Sequence, residues 1–129
     1  MIVLDSSAVI DYLVRNRLGD WVEEQLLAHG DFHAPHLIDV EVVGALRKFV
    51  QRGALEEWIA RAALRDIVDF DVRRYPHGPF LDRAWALRDT ITVADAVYVA
   101  LAEALDAPLL TTDLRLGRAP GLPVEVLTP

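Results

Sequence analysis

Apolar residues along this chain alternate between short unbroken runs and stripes at helical spacing. Ile2-Val3-Leu4 is an apolar run without alternation, the mark of a strand buried on both faces. Ser6 or Ser7 then predicts a helix cap, with the helix running to about Val14. Helical spacing predicts a second helix over 19–28 and a third over 37–52. The third carries Val42, Leu46, Phe49 and Val50 on one side and ends at Gly53. A strand is expected over 31–34 and a fourth helix over 54–64. Alternating apolar and acidic residues predict a strand over 67–72. Helices follow over 79–88 and over the Ala-rich stretch 94–105. Strands at 109–111 and 124–127 close the chain.

Strands separated by helices require parallel crossovers, so the pattern predicts an α/β layered fold. In such sheets, sites lie beyond the carboxyl ends of the strands. Asp5 follows the first strand and Asp113 follows the strand at Leu110. Pro and Gly cluster only briefly, around Pro35, Pro76–Pro79 and Pro120–Pro123, so residues 1–129 read as a single domain.

The apolar fraction of 53% excludes intrinsic disorder. The absence of cysteine excludes disulfides, thiol catalysis and thiolate metal sites. No secretory leader or membrane-length apolar stretch is visible, so a cytoplasmic protein with no membrane role is expected. The formal charge of −7 argues against a broad basic surface for nucleic acid.

Four acids change that picture. Asp5, Glu41, Asp95 and Asp113 each have an ordinary explanation. Asp5 and Asp113 suit helix caps, Asp95 stands three residues after Thr92 at capping-box spacing, and Glu41 lies near a helix start. Yet Glu41 shares a helix face with Leu37, Ile38, Gly44 and Ala45, and Asp95 shares one with Ile91, Val99 and Ala102. A carboxylate on an apolar face needs a partner or a cation. Lys48 is two helical turns from Glu41, too far for an easy ion pair. Two like charges about 4 Å apart cost roughly 4 kcal/mol at an effective dielectric of 20, so a cluster of four would require a cation. An all-oxygen donor set favours Mg²⁺ or Mn²⁺ over zinc, and such ions commonly serve phosphate chemistry.

Other motifs point elsewhere or nowhere. His29, His33 and His36 recur at helical spacing, but Gly30 and Pro35 interrupt any common helix, so no zinc face is expected. Neither a phosphate-binding Gly-x-x-x-x-Gly-Lys loop nor a Gly-x-Ser-x-Gly nucleophile elbow is present. Trp21, Trp58, Trp85, Tyr12 and Tyr98 fall on helical stretches and read as packing residues. Twelve of the 13 basic residues are Arg. Arg47, Lys48 and Arg52, the pair Arg73 and Arg74, and Arg115 with Arg118 are either solvated surface or phosphate contacts around the acidic site.

Four stretches together resemble the PIN-domain nucleases, in particular ribonuclease toxins of the VapC type. They are Ile2-Val3-Leu4-Asp5-Ser6-Ser7-Ala8, Asp39-Val40-Glu41-Val42, the segment from Thr92 to Glu103, and Leu109-Leu110-Thr111-Thr112-Asp113. The resemblance implies a three-layer α/β/α sandwich with a central parallel β-sheet. It implies a Mg²⁺- or Mn²⁺-dependent endoribonuclease that cleaves RNA by metal-activated water, with Asp5, Glu41, Asp95 and Asp113 as metal-site acids. Ser7 and Thr111 match the family's accessory hydroxyls, with Ser6 beside them. Arg115 and Arg118, which follow Asp113 closely, are the candidate RNA-phosphate contacts, with solvated surface as the other reading. Implied partners are a cognate antitoxin whose tail covers the site, a second copy of the chain in a homodimer, and a higher toxin–antitoxin assembly. The alternative is a non-catalytic PIN-type module that binds RNA or protein.

Overall fold

The structure is a computed structural model describing residues 1–129. Its sheet contains β1 (Ile2–Leu4), β2 (Phe32–Pro35), β3 (Arg73–Tyr75), β4 (Leu109–Leu110) and β5 (Val126–Leu127). Every neighbouring pair is parallel, in the order β3-β2-β1-β4-β5. The helices are α1 (Ser6–Val14), α2 (Gly19–His29), α3 (Leu37–Gln51), α4 (Glu57–Asp69), α5 (Leu81–Ala86), α6 (Val93–Leu105) and α7 (Leu114–Gly117), with a 3₁₀ turn at Gly78–Phe80. Together they form the α/β/α layering expected of the sequence.

Strand order decides where a site can form. The chain builds outward from β1 to β2 and β3, then returns to add β4 and β5 on the other side. The reversal falls between β1 and β4, where diverging connections open a crevice at the carboxyl ends of the strands. Register pairs Leu4 with Leu110, so the residues that follow, Asp5 and Thr111, emerge side by side. Asp5 is tied there by its own N–H, which donates to the Leu110 carbonyl at 2.9 Å.

Burial explains the patterns that were legible. Ile2, Val3 and Leu4 are fully buried, as a central parallel strand must be. Residues Ala96 to Ala102 of α6 are all buried, so that helix is apolar nearly all round. Gly53 takes φ +71°, the left-handed conformation that stops a helix.

Three expectations fail. The helix expected over 54–64 begins at Glu57 and runs on to Asp69, absorbing the first half of the strand expected over 67–72. Ala60, Ala63 and Ile67 are its buried stripe, and that helical spacing outlasts the short alternation that follows. The strand itself lies later, at Arg73–Tyr75, on the sheet edge. Neither Ser6 nor Ser7 caps α1. Asp5 holds the N-cap position in extended conformation, with no side-chain capping bond.

Arg74 is structural rather than a phosphate contact. Its Nε and Nη2 donate to the Asp39 carboxylate at 2.8–3.0 Å, and Nη2 also reaches the Ile67 carbonyl at 2.8 Å. Longer bonds go to the carbonyls of Val72 and Phe70. One guanidinium thus joins β3 and the first turn of α3, and adds bonds to the carbonyls of Ile67 and Phe70, which already accept from Phe70 N–H and Val72 N–H where α4 ends. Arg74→Ala is expected to cost about 2 kcal/mol, lowering Tm by roughly 5–10 °C in a thermal melt. Arg73 packs over the Tyr75 ring at 5.3 Å, likewise on the sheet edge.

Candidate active site

A cavity of about 400 Å³ opens at this crevice, and its walls include all four acids, Asp5, Glu41, Asp95 and Asp113. They arrive from four separate segments: the end of β1, the second turn of α3, the first turn of α6 and the turn before α7. Ser6 and Ser7 line the same cavity, as do Lys48 of α3 and Arg52 just past its end.

Asp5 is the deepest, at 4% exposure. Its Oδ2 accepts from Ser7 Oγ at 2.6 Å and from Thr111 Oγ1 at 2.7 Å. Each hydroxyl has one proton, so both protons are committed to this oxygen. The 3.0 Å approach of the two hydroxyls to each other is then only a contact. Behind them, Thr112 N–H donates to Ser7 Oγ at 3.1 Å and Asp113 N–H to Thr111 Oγ1 at 3.0 Å. Two backbone amides thus feed two hydroxyls that converge on one carboxylate oxygen, a chain in which each bond polarises the next. Oδ1 is left without a hydroxyl partner.

Burial pushes the Asp5 carboxyl up to about 6, against the pull of both hydroxyls, and the charges of Asp95 and Glu41 push the same way. Half-buried Asp95 is also raised, first by burial and then by the charge of Asp113. Its N–H donates to Thr92 Oγ1 at 3.2 Å, so Thr92 caps α6, and the Thr92 hydroxyl pulls the Asp95 carboxyl partly back down.

Glu41 finds a partner that the sequence did not suggest. Tyr98 Oη donates to Glu41 Oε1 at 2.7 Å, while Lys48 makes no ion pair with it. The Tyr98 ring is fully buried, and burial followed by the Glu41 charge raises its phenol, so it remains a donor. Tyr98 lies one turn from Asp95 on α6, but that i+3 relation does not point to Glu41, 57 positions earlier in the chain. Asp113 Oδ1 accepts from Arg115 N at 2.9 Å, with the Arg115 guanidinium 3.6 Å away.

The four carboxylates share a cavity, but no three of them crowd around one point. Asp5, Glu41 and Asp113 are each drawn to a local donor, and mutual repulsion favours that spacing. An oxygen-only set lining a cavity, with one deeply buried acid pushed towards neutrality, suits a hard divalent cation that keeps several waters. Histidines offer no competing centre: His29 Nδ1 bonds the Gln25 carbonyl, His33 sits between Tyr75 Oη and Asp31, and His77 Nε2 accepts from Leu37 N.

Arg115 and Arg118 do not line this cavity. They line a second one of about 700 Å³, which adjoins it and shares Asp95 and Asp113.

The PIN-domain family model matches residues 2–122. The chain belongs to the PIN-domain family. Ribonuclease VapC1 of Mycobacterium tuberculosis is 46% identical to this PIN domain over 125 residues, 96% of this chain and 94% of the relative. Ribonuclease VapC12 of the same organism is 41% identical, over 98% and 97%. Among solved structures, a toxin–antitoxin complex from Klebsiella pneumoniae matches with a TM-score of 0.69 at 22% identity, covering 100% of this chain and 98% of that one. VapBC2 from Rickettsia felis, bound to a DNA fragment from its promoter, matches with 0.68 at 15% identity, over 99% and 98%. These structural likenesses establish the PIN fold.

Proposed function

We propose that this PIN-domain protein is a divalent-metal-dependent endoribonuclease, the toxin of a toxin–antitoxin module, acting in the cytoplasm as a single domain. The observation that carries the reading is the single cavity lined by Asp5, Glu41, Asp95 and Asp113, in a chain 46% identical to a ribonuclease over nearly its whole length.

Asp5 and Asp95 are the residues that would hold Mg²⁺ or Mn²⁺ directly, with Glu41 and Asp113 acting directly or through water. A bound divalent cation would supply the positive charge that activates water and offsets negative charge growing on a phosphodiester. Ser7 and Thr111 fix the orientation of Asp5 and keep its charged form available. Tyr98 holds Glu41 against α6, so its other oxygen stays directed to the cavity chemistry. Asp113, anchored by the Arg115 N–H, and Asp95 face the same substrate phosphate region.

A site with this charge suggests its inhibitor. A cognate antitoxin that inserts a basic side chain among the acids would replace the cation and block RNA together. A homodimer and a larger toxin–antitoxin assembly follow from the same family reading.

The test is cleavage of RNA by the purified chain with Mg²⁺ or Mn²⁺ and with chelator. Cleavage is expected with either ion and absent with EDTA. Undiminished cleavage in chelator sinks the metal dependence, and RNA binding without turnover under any metal indicates a non-catalytic PIN-type module instead. Because ion binding displaces a proton from Asp5, apparent metal affinity should fall about tenfold per pH unit below pH 6.

A further inference from the structure

We propose that the second cavity, beside the acidic one, holds the RNA strand that flanks the scissile phosphodiester, and that Arg88 is a phosphate-binding residue there. The inference rests on the ribonuclease reading and extends it to the path of the substrate.

The two cavities are continuous in composition, since Asp95 and Asp113 line both. Beyond those two acids, the second cavity is lined by Arg88, Arg115 and Arg118 against one further acid, Asp89. Its volume, about 700 Å³, is within the range of sites that enclose small-molecule-sized groups. A phosphate held at the acids therefore has three guanidiniums next to it, which balance the cavity's three Asp within a chain whose net charge is −7.

Arg88 is the best prepared of the three. Its guanidinium lies 4.5 Å over the Trp85 ring, and Nη1 donates to the Trp85 carbonyl at 2.9 Å. Trp85 is 63% exposed, so the stack is at the surface and accessible to a strand. Neither Arg88 nor Arg118 has a carboxylate partner, whereas Arg61, Arg74, Arg83 and Arg115 do. A guanidinium with most of its five donors free, and with its orientation fixed by a ring, is pre-organised for the two oxygens of a phosphate. Trp85 is then a positioning residue that acts through Arg88.

Charge elsewhere gives the strand a direction. Lys48 and Arg52 line the acidic cavity on its α3 wall. The roughly 570 Å³ cavity among α1, α2 and the end of α4 is lined instead by Asp20, Glu23, Asp66, Asp69 and Asp71 against Arg15, and repels phosphate. The path that remains runs from Lys48 and Arg52, across the four acids, to Arg88 and Arg118.

The test uses a fluorescent single-stranded oligoribonucleotide that the wild-type protein cleaves with Mg²⁺. Arg88→Ala is expected to raise KM roughly tenfold, with kcat nearly unchanged. The salt dependence of binding should fall by about one unit of slope, the signature of a lost phosphate contact. Trp85→Ala should reproduce the KM effect in part, and Trp85→Phe should restore it, since a ring face remains. On a substrate shortened until no strand reaches the second cavity, Arg88→Ala and wild type should coincide. An unchanged KM and salt slope, or an equal loss on long and short substrates, overturns the proposal while leaving the ribonuclease reading standing. Absence of metal-dependent cleavage by the wild type removes both.

Discussion

Asp5→Asn is expected to abolish RNA cleavage while making the metal-free protein more stable. Asparagine is nearly isosteric with aspartate. Its amide oxygen can take the place of Oδ2 and accept from Ser7 Oγ and Thr111 Oγ1, leaving the amide nitrogen towards the cavity. Packing is kept and only the charge is lost. Without that charge the site loses its most buried anionic donor, and cleavage should fall by roughly 10³-fold or more.

The stability gain follows from the same carboxyl. Folding raises it from 3.8 to about 6, so the folded chain binds that proton more tightly than the unfolded chain. Wild-type stability from this group is therefore full below about pH 4, falls as pH rises towards 6, and is flat above. A rise of that size corresponds to about 3 kcal/mol, and the asparagine amide has its own burial cost, so a net gain of about 1–3 kcal/mol is expected at pH 8. The variant should melt roughly 3–10 °C higher there and close to wild type near pH 4. Saturating Mg²⁺ should raise the wild-type Tm and leave the variant's unmoved. Wild-type cleavage rates in the variant sink the role of Asp5. An inactive variant with no gain at pH 8 sinks the account of its buried charge.

Legibility in the sequence follows the strength of each local pattern. β1 and α6 were clear because complete burial leaves unbroken apolar residues, and α3 because its stripe runs for four turns. β3 was not, because an edge strand reading Arg-Arg-Tyr carries no hydrophobic signal. The alternation over 67–72 imitated a strand only because Ile67 belongs to the stripe of α4 and Val72 to the segment after it. In the site, acids on apolar faces were conspicuous because a charge there needs an explanation. Their local partners were less so. Tyr98 looks like any core aromatic until Glu41, 57 positions earlier in the chain, is found against its hydroxyl. Arg74 looks like half of a surface pair until it is found holding Asp39. Long-range pairing between a common polar residue and a common charged one leaves no periodic trace, so only the fold reveals it.

Thr111→Val should be the most damaging change to a residue that bears no charge. Valine matches the shape of threonine, and Thr111 is fully buried, so the substitution removes a hydroxyl and little else. Two bonds go with it: the 2.7 Å donation to Asp5 Oδ2 and the 3.0 Å acceptance from Asp113 N–H. Asp5 then keeps Ser7 as its one hydroxyl donor, and its carboxyl moves further above the usual range, since a bond that lowered it has been lost. Asp113 loses the anchor on its backbone while keeping the bond from Arg115 N–H, so the turn that presents its carboxylate loosens. Orienting partners of this kind are worth roughly 10–100-fold in metal affinity or activity, and that is the loss expected here. Thr111→Ser, which restores a hydroxyl, should recover most of it. Stability should fall by about 1–3 kcal/mol, from an amide left unpaired in the interior. The decisive measurement is the metal titration at two pH values. The deficit in Thr111→Val should widen as pH falls from 8 to 6, because a carboxyl with a higher pKa competes with the proton over more of that range. A deficit of equal size at both pH values would mean that Thr111 supports the fold around Asp5 rather than its charge.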